Sequence, residues 1–129
     1  MAKFEVVNPG REWSPKYTFS PAVRKGNMLF ISGMTGTGED GELVGPDMES
    51  QTRQIFMKMD QVLKEAGGSF DDVVQTTDYI TTTEGYRSTA DVRREFMKGG
   101  FSAATGVIVA GLLRDGALIE IDAVAVLDG

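Results

Sequence analysis

Two acids, Glu120 and Asp122, stand two residues apart in the stretch "ALIEIDAVAVL" (Ala117–Leu127), which is otherwise almost wholly apolar. Alternation makes this stretch a strand, with Ile119, Ile121, Ala123 and Ala125 on one face and Leu118, Glu120, Asp122, Val124 and Val126 on the other. Burying an unpaired charge is costly. Either the second face meets water, for which Leu118, Val124 and Val126 are poor choices, or an acid there does chemistry. The chain has no Cys and no His. That removes a thiolate nucleophile, a Ser–His relay and the usual Cys/His metal site. Acid–base work falls to Asp, Glu, Lys, Tyr or a held water, and a carboxylate is the first candidate. Neither metal nor cofactor is expected.

Two other clusters compete for attention. "GTGEDG" (Gly36–Gly41) fits a G-x-G-x-x-G spacing after a strand. A dinucleotide site needs a helix N-terminus directly behind those glycines, and the continuation "ELVGP" is not one. Glu39 and Asp40 would also repel phosphate, so the motif reads as a hairpin loop. The aromatic residues Trp13, Tyr17 and Phe19 form either a ligand wall or ordinary loop packing. Met57 and Met59 read as core filler on a helix.

The elements that must position these groups follow from periodicity. "FEVV" is a short first strand. "AVRKGNMLFISG" is a hairpin turning at Lys25-Gly26-Asn27, its second strand running from Met28 to Ser32. A glycine-rich loop spans Gly33–Gly45. Ile55, Phe56, Met59, Val62 and Leu63 recur at helical spacing between about Pro46 and Ala66, and Gly67-Gly68 closes the helix. Asp71–Thr82 is strand-like. A second helix is expected from about Thr83 to Lys98, carrying Tyr86, Val92 and Phe96. "TGVIVAGLL" and "ALIEIDAVAVL" then form two strands joined by the turn Arg114-Asp115-Gly116. The whole of 1–129 is expected to be one domain, a mixed sheet with two helices on one face. The other face, still partly apolar, needs a partner, which predicts an oligomer.

The formal net charge of −6 and scattered basic residues argue against nucleic acid as a partner. No apolar run approaches the roughly 18 residues of a membrane span. "MAKFEVVNPG" holds no signal-peptide stretch, and cytoplasm is the expected compartment.

Several of these stretches together resemble the Rid (YjgF-type) family, which includes enamine/imine deaminases. "GNMLFISGMTG" is similar to the family's strand and Ser-Gly motif. "QTRQIFMKMDQVLKEAGGSFDDVVQTTDYI" resembles its helix, Ala-Gly turn and following strand, and "LLRDGALIEIDAVAV" its closing motif. The resemblance implies a chorismate-mutase-like α+β fold and a homotrimer whose sheets form a central barrel with clefts between subunits. It implies hydrolytic deamination of a small imine or enamine, an aminomuconate-type catabolic intermediate among the candidates. The alternative is a non-catalytic trimer of the same fold that binds or regulates through a small metabolite.

The resemblance also assigns roles. Glu120 falls on the glutamate that positions the attacking water. Ser32 and Gly33 fall on the Ser-Gly pair, and Phe19, or Tyr17 if the loop shifts, on a cleft tyrosine. Tyr86, Ala104, Thr105 and Gly106 complete the expected substrate-binding set. The departure is at Ala104, where typical deaminating members carry an arginine that binds the substrate carboxylate; Gly106 stands where many carry cysteine. Alanine cannot replace a bidentate clamp whose charged hydrogen bonds are each worth roughly 1.5–3 kcal/mol. A different ligand is therefore expected. Asp122 is expected to make a structural contact beside Glu120.

Overall fold

The computed structural model describes residues 3–128. Its first helix, α1 (Met48–Glu65), begins where Asp47 accepts the backbone N–H of Ser50 at 2.9 Å. It ends at Gly67, whose φ of 84° is the left-handed conformation that terminates helices. All five residues expected on its buried face are fully buried. Met57 is a correction: it lies on the outer face, 50% exposed, while Met59 does enter the core.

The second helix is shorter than its pattern suggested. Gly85, at φ 76°, starts a 3-10 turn over Tyr86–Ser88, and α2 runs only from Thr89 to Phe96. Both helices cover one face of a six-stranded sheet made of β1 (Glu5–Val7), β2 (Ala22–Lys25), β3 (Met28–Met34), β4 (Val73–Ile80), β5 (Ala103–Ile108) and β6 (Ile119–Val126).

The strand order is β1-β2-β3-β6-β4-β5. The hairpin β2–β3 turns at Gly26, as expected. The glycine-rich loop also behaves as a hairpin loop, with Thr37 bridged to Leu43. The last two strands do not pair with each other. β5 lies parallel to β4 on the sheet edge, and β6 inserts between β3 and β4, antiparallel to both. Gly116 does turn, at φ 83°, but it closes a crossing segment rather than a hairpin.

Alternation along β6 is as read from the sequence. Ile119, Ile121, Ala123 and Ala125 are buried under the helices, while Glu120, Asp122 and Val124 are half-buried on the open face. Among the described residues, no helix is long and apolar enough to cross a membrane.

Candidate functional site

The site is built where β3, β6 and β4 run side by side. Tyr79 on β4 stands directly opposite Glu120, and Thr77 opposite Asp122. A diagonal neighbour on an antiparallel pair is within reach of an aromatic side chain. The Tyr79 hydroxyl accordingly donates to Asp122 Oδ2 at 2.9 Å. On the other side, the β3–β6 ladder is irregular between Ile31 and Met34. Such an irregularity re-aims the local backbone, and here Gly33 comes against Glu120. A Cβ at residue 33 would lie 2.3 Å from Glu120 Oε2. A side chain at residue 33 would therefore displace the Glu120 carboxylate from its present position.

Glu120, Asp122, Tyr79 and Gly33 form the polar floor of a cavity of about 230 Å³. Its wall is Val109, Gly111, Leu112 and Leu113, from the segment that crosses between β5 and β6. Burial first, and the nearby Asp122 carboxylate second, hold the Glu120 carboxyl above the usual glutamate range. The hydrogen bond to Asp122 pushes the Tyr79 hydroxyl up as well. A half-buried carboxylate of raised basicity, facing a cavity, can accept a proton from water. Among the described residues, no cluster of three or more acids is placed to hold a metal ion.

Of the residues singled out in the sequence, one chain therefore brings together Glu120, Gly33 and Asp122. The others lie elsewhere. The Ser32 hydroxyl turns away to donate to the Ser20 carbonyl at 2.6 Å. Tyr17 and Phe19 stack at 5.4 Å and both meet Trp13 edge-on, an exposed cluster pinned by the Trp13 indole N–H on the Phe19 carbonyl. Ala104 and Gly106 pair in register with the buried Thr76 and Asp78 of β4, so they share the helix-side face, away from Glu120. Thr105 pairs with Thr77 on the open face of the exposed edge strand, outside the cavity lining.

Tyr86 is likewise on the helix side. Its hydroxyl donates to Asp78 Oδ2 at 2.6 Å, and Arg93 of α2 forms an ion pair with the same oxygen. Burial and Asp78 together push the Tyr86 hydroxyl up to about 12. Within one chain Phe19, Ser32 and Gly106 do not border the Glu120 cavity; the expectation placed part of that wall on a neighbouring chain. Tyr79 and the leucine wall, in turn, were not singled out by the sequence reading. Their only sequence signal is Tyr79's place in the β-branched run "VVQTTDYI", which does not reveal its cross-strand partner.

Comparison with known proteins places this geometry. The family profile described as Endoribonuclease L-PSP matches residues 10–127. A RutC family protein of Pyrococcus abyssi is 32% identical over 97% of this chain and 98% of its own. The human 2-iminobutanoate/2-iminopropanoate deaminase is 31% identical over 84% of this chain and 79% of its own length. The crystal structure of the Rid-family protein YyfA of Yersinia pestis superposes with a TM-score of 0.87, at 32% identity, over 96% of this chain and 99% of that one. The site thus stands on a scaffold shared with these proteins, and the chain belongs to the Endoribonuclease L-PSP family, the Rid or YjgF-type proteins that its motifs resemble.

Proposed function

We propose that this protein is a hydrolytic deaminase of a small imine or enamine, with Glu120 as the general base. The observation that carries this reading is the half-buried Glu120 carboxylate, held above its usual range and opposed by a glycine at a cavity floor. The relative named as an imine deaminase supports it. Glu120 takes a proton from water as the water oxygen bonds to the imine carbon. That proton passes to nitrogen to give a carbinolamine; its hydroxyl proton is then transferred through Glu120 to nitrogen as the C–N bond breaks, and ammonia leaves a carbonyl product. Among the described residues of one chain, the lining has two carboxylates and no lysine or arginine, which is poor chemistry for a phosphodiester backbone. The same lack of a cation gives a dicarboxylate such as an aminomuconate-type intermediate no support.

The reading includes a homotrimer. Leu113, on the cavity wall, is fully exposed in the single chain, and Phe101, two residues before the edge strand β5, and Ile108, its last residue, are each 65% exposed. Apolar residues at a cavity rim and an unpaired sheet edge favour cover by a second copy. Light scattering at micromolar concentration should report three chains; a stable monomer contradicts this part of the reading.

The test of catalysis is ammonia release across a panel of enzymatically generated imines. Glu120→Gln should lower the rate by roughly 10²–10⁴-fold while product-like ligands still bind. Rates no faster than buffer in both proteins, with ligand binding intact, favour the non-catalytic metabolite-binding trimer.

A further inference from the structure

Gln51, in the first turn of α1, is fully buried although it carries a polar amide. A buried amide costs free energy unless its oxygen and its N–H groups find partners. Here the amide oxygen accepts the backbone N–H of Leu118 at 2.8 Å. The amide nitrogen donates to the Gly45 carbonyl at 3.0 Å and to the Gly116 carbonyl at 3.4 Å. One side chain thus ties α1 to the end of the glycine-rich loop and to the entry into β6. The loop also presses on the Gln51 backbone: a Cβ at Gly36 would lie 2.7 Å from the Gln51 Cα. Because Gln51 is closed off inside one chain, a neighbouring copy cannot reach it to change these partners.

These contacts bracket Glu120. Between β3 and β6 the register ends where Met34 stands opposite Ile121, one residue short of Glu120. On the other side Glu120 is still in register with Tyr79 of β4. Two residues earlier, the Leu118 carbonyl accepts from the Thr81 N–H at 3.1 Å, but the Leu118 N–H goes to Gln51 rather than to a strand. The Gln51 amide therefore does at the start of β6 what a neighbouring strand does further along. Gly33, which faces Glu120, leads to Gly36 on the Gln51 backbone, so both partners in that close approach are anchored to one residue. We propose that Gln51 is a positioning residue for the reaction: its amide fixes the start of β6 and so holds the Glu120 carboxylate against Gly33 at the cavity floor. This rests on the imine-hydrolysis reading for the rate it governs, whereas the placement of Glu120 is open to direct measurement. Without the amide, the Leu118 N–H loses its acceptor, and a group left unpaired in this way drives local rearrangement. The start of β6 then shifts toward water and carries Glu120 off Gly33.

The experiment takes two readings of the same proteins. One is the steady-state rate on the imine panel. The other is the titration of the Glu120 carboxyl followed by carbon NMR, its signal identified by its loss in Glu120→Gln. Gln51→Met keeps the side-chain length and removes every bond of the amide. It should lower kcat by roughly 10–100-fold, the scale of a misplaced catalytic group, with KM moving far less. The Glu120 titration should fall toward the ordinary glutamate range, because burial is the larger cause of its elevation. The groups that face Glu120 are Asp122 on its own strand, Tyr79 on β4 and the uncharged Gly33 on β3, and the variant alters none of them. Thr52→Val controls for stability. It deletes a buried hydrogen bond of the neighbouring residue, from the Thr52 hydroxyl to the Met48 carbonyl at 2.8 Å, and should leave both readings as in wild type. If Gln51→Met does not fold, Gln51→Asn, one methylene shorter and out of reach of Leu118, takes its place. An unmoved Glu120 titration overturns the inference, as does full kcat in a variant whose titration has moved, or an equal change in Thr52→Val. If wild type hydrolyses no imine faster than buffer, the deaminase reading falls, and the titration alone decides whether Gln51 places Glu120.

Discussion

An Asp–Tyr pair lies on each face of the sheet, and the two pairs have opposite fates. On the helix-covered face Asp78 accepts from Tyr86 at 2.6 Å and is closed by the Arg93 guanidinium, which also lies over the Phe56 ring at 5.5 Å. On the open face Asp122 accepts from Tyr79 at 2.9 Å, and the next charge is a second carboxylate, Glu120. The first arrangement completes a buried charge with a countercharge and is structural. The second stacks like charges beside a cavity, an arrangement that raises basicity and weakens the fold locally. Charge type alone would not separate them; the third group in each cluster does.

The sharpest way to break the comparison is to remove that third group from each face. Arg93→Ala leaves Asp78, 1% exposed, as an uncompensated buried charge. It should lower unfolding free energy by about 3–5 kcal/mol, measured by urea denaturation, with Tyr86 driven further from ionisation. A loss below about 1 kcal/mol would show that the pair behaves like a surface contact. On the open face the sign inverts. The folded-state value of Glu120 lies above its unfolded one. Its favourable contribution is therefore full below the unfolded glutamate range and is lost as pH rises through the folded value. Glu120→Gln should consequently stabilise the protein at neutral pH relative to wild type, and this gain should vanish in acid. Thermal melts at both ends of the range check it.

Asp122→Asn sharpens the same contrast through pH. If Glu120 acts as a base, the acid limb of the rate profile lies above the ordinary glutamate range. Removing the Asp122 charge moves that limb down, but only part of the way, since burial is the larger cause of the shift. An unmoved limb would mean that Asp122 does not tune Glu120. The smallest effect expected is from Tyr79→Phe, which deletes one hydrogen bond worth roughly 0.5–1.5 kcal/mol. Its companion on the closed face, Tyr86→Phe, should cost more, because the Asp78 oxygen it serves is buried and the other Asp78 oxygen finds no hydrogen-bond partner among the described residues.

What the sequence disclosed was local. The period-two run from Ile119 to Val126 and the helical spacing of Ile55, Phe56, Met59, Val62 and Leu63 each point one face inward, and the structure places them so. Glu120 was legible because it interrupts such a run. Gly33 was legible as half of a Ser-Gly motif, though its reason, the approach of Glu120, depends on a ladder irregularity that no single stretch encodes. The β5–β6 pairing was misread because Arg114-Asp115-Gly116 has the chemistry of a tight turn. Which strand lies beside which is decided by long-range packing. Tyr79 was missed for the same reason: its role exists only once β4 and β6 are in register. The second helix was overextended across Gly85, whose positive φ breaks it.

The insertion of β6 between β3 and β4 also bears on the order of events at the ribosome. β6 is the final strand of the fold to be synthesised, yet it joins β1–β3 to β4–β5, which share no ladder without it. Until it emerges, no ladder can join the two parts of the sheet, and Leu29, Ile31, Thr76 and Ile80 lack the strand that lies between them. Pairing across such sequence distance is slow, and unpaired edges invite association with other chains. The strand that carries the catalytic candidate is therefore also the one that closes the sheet.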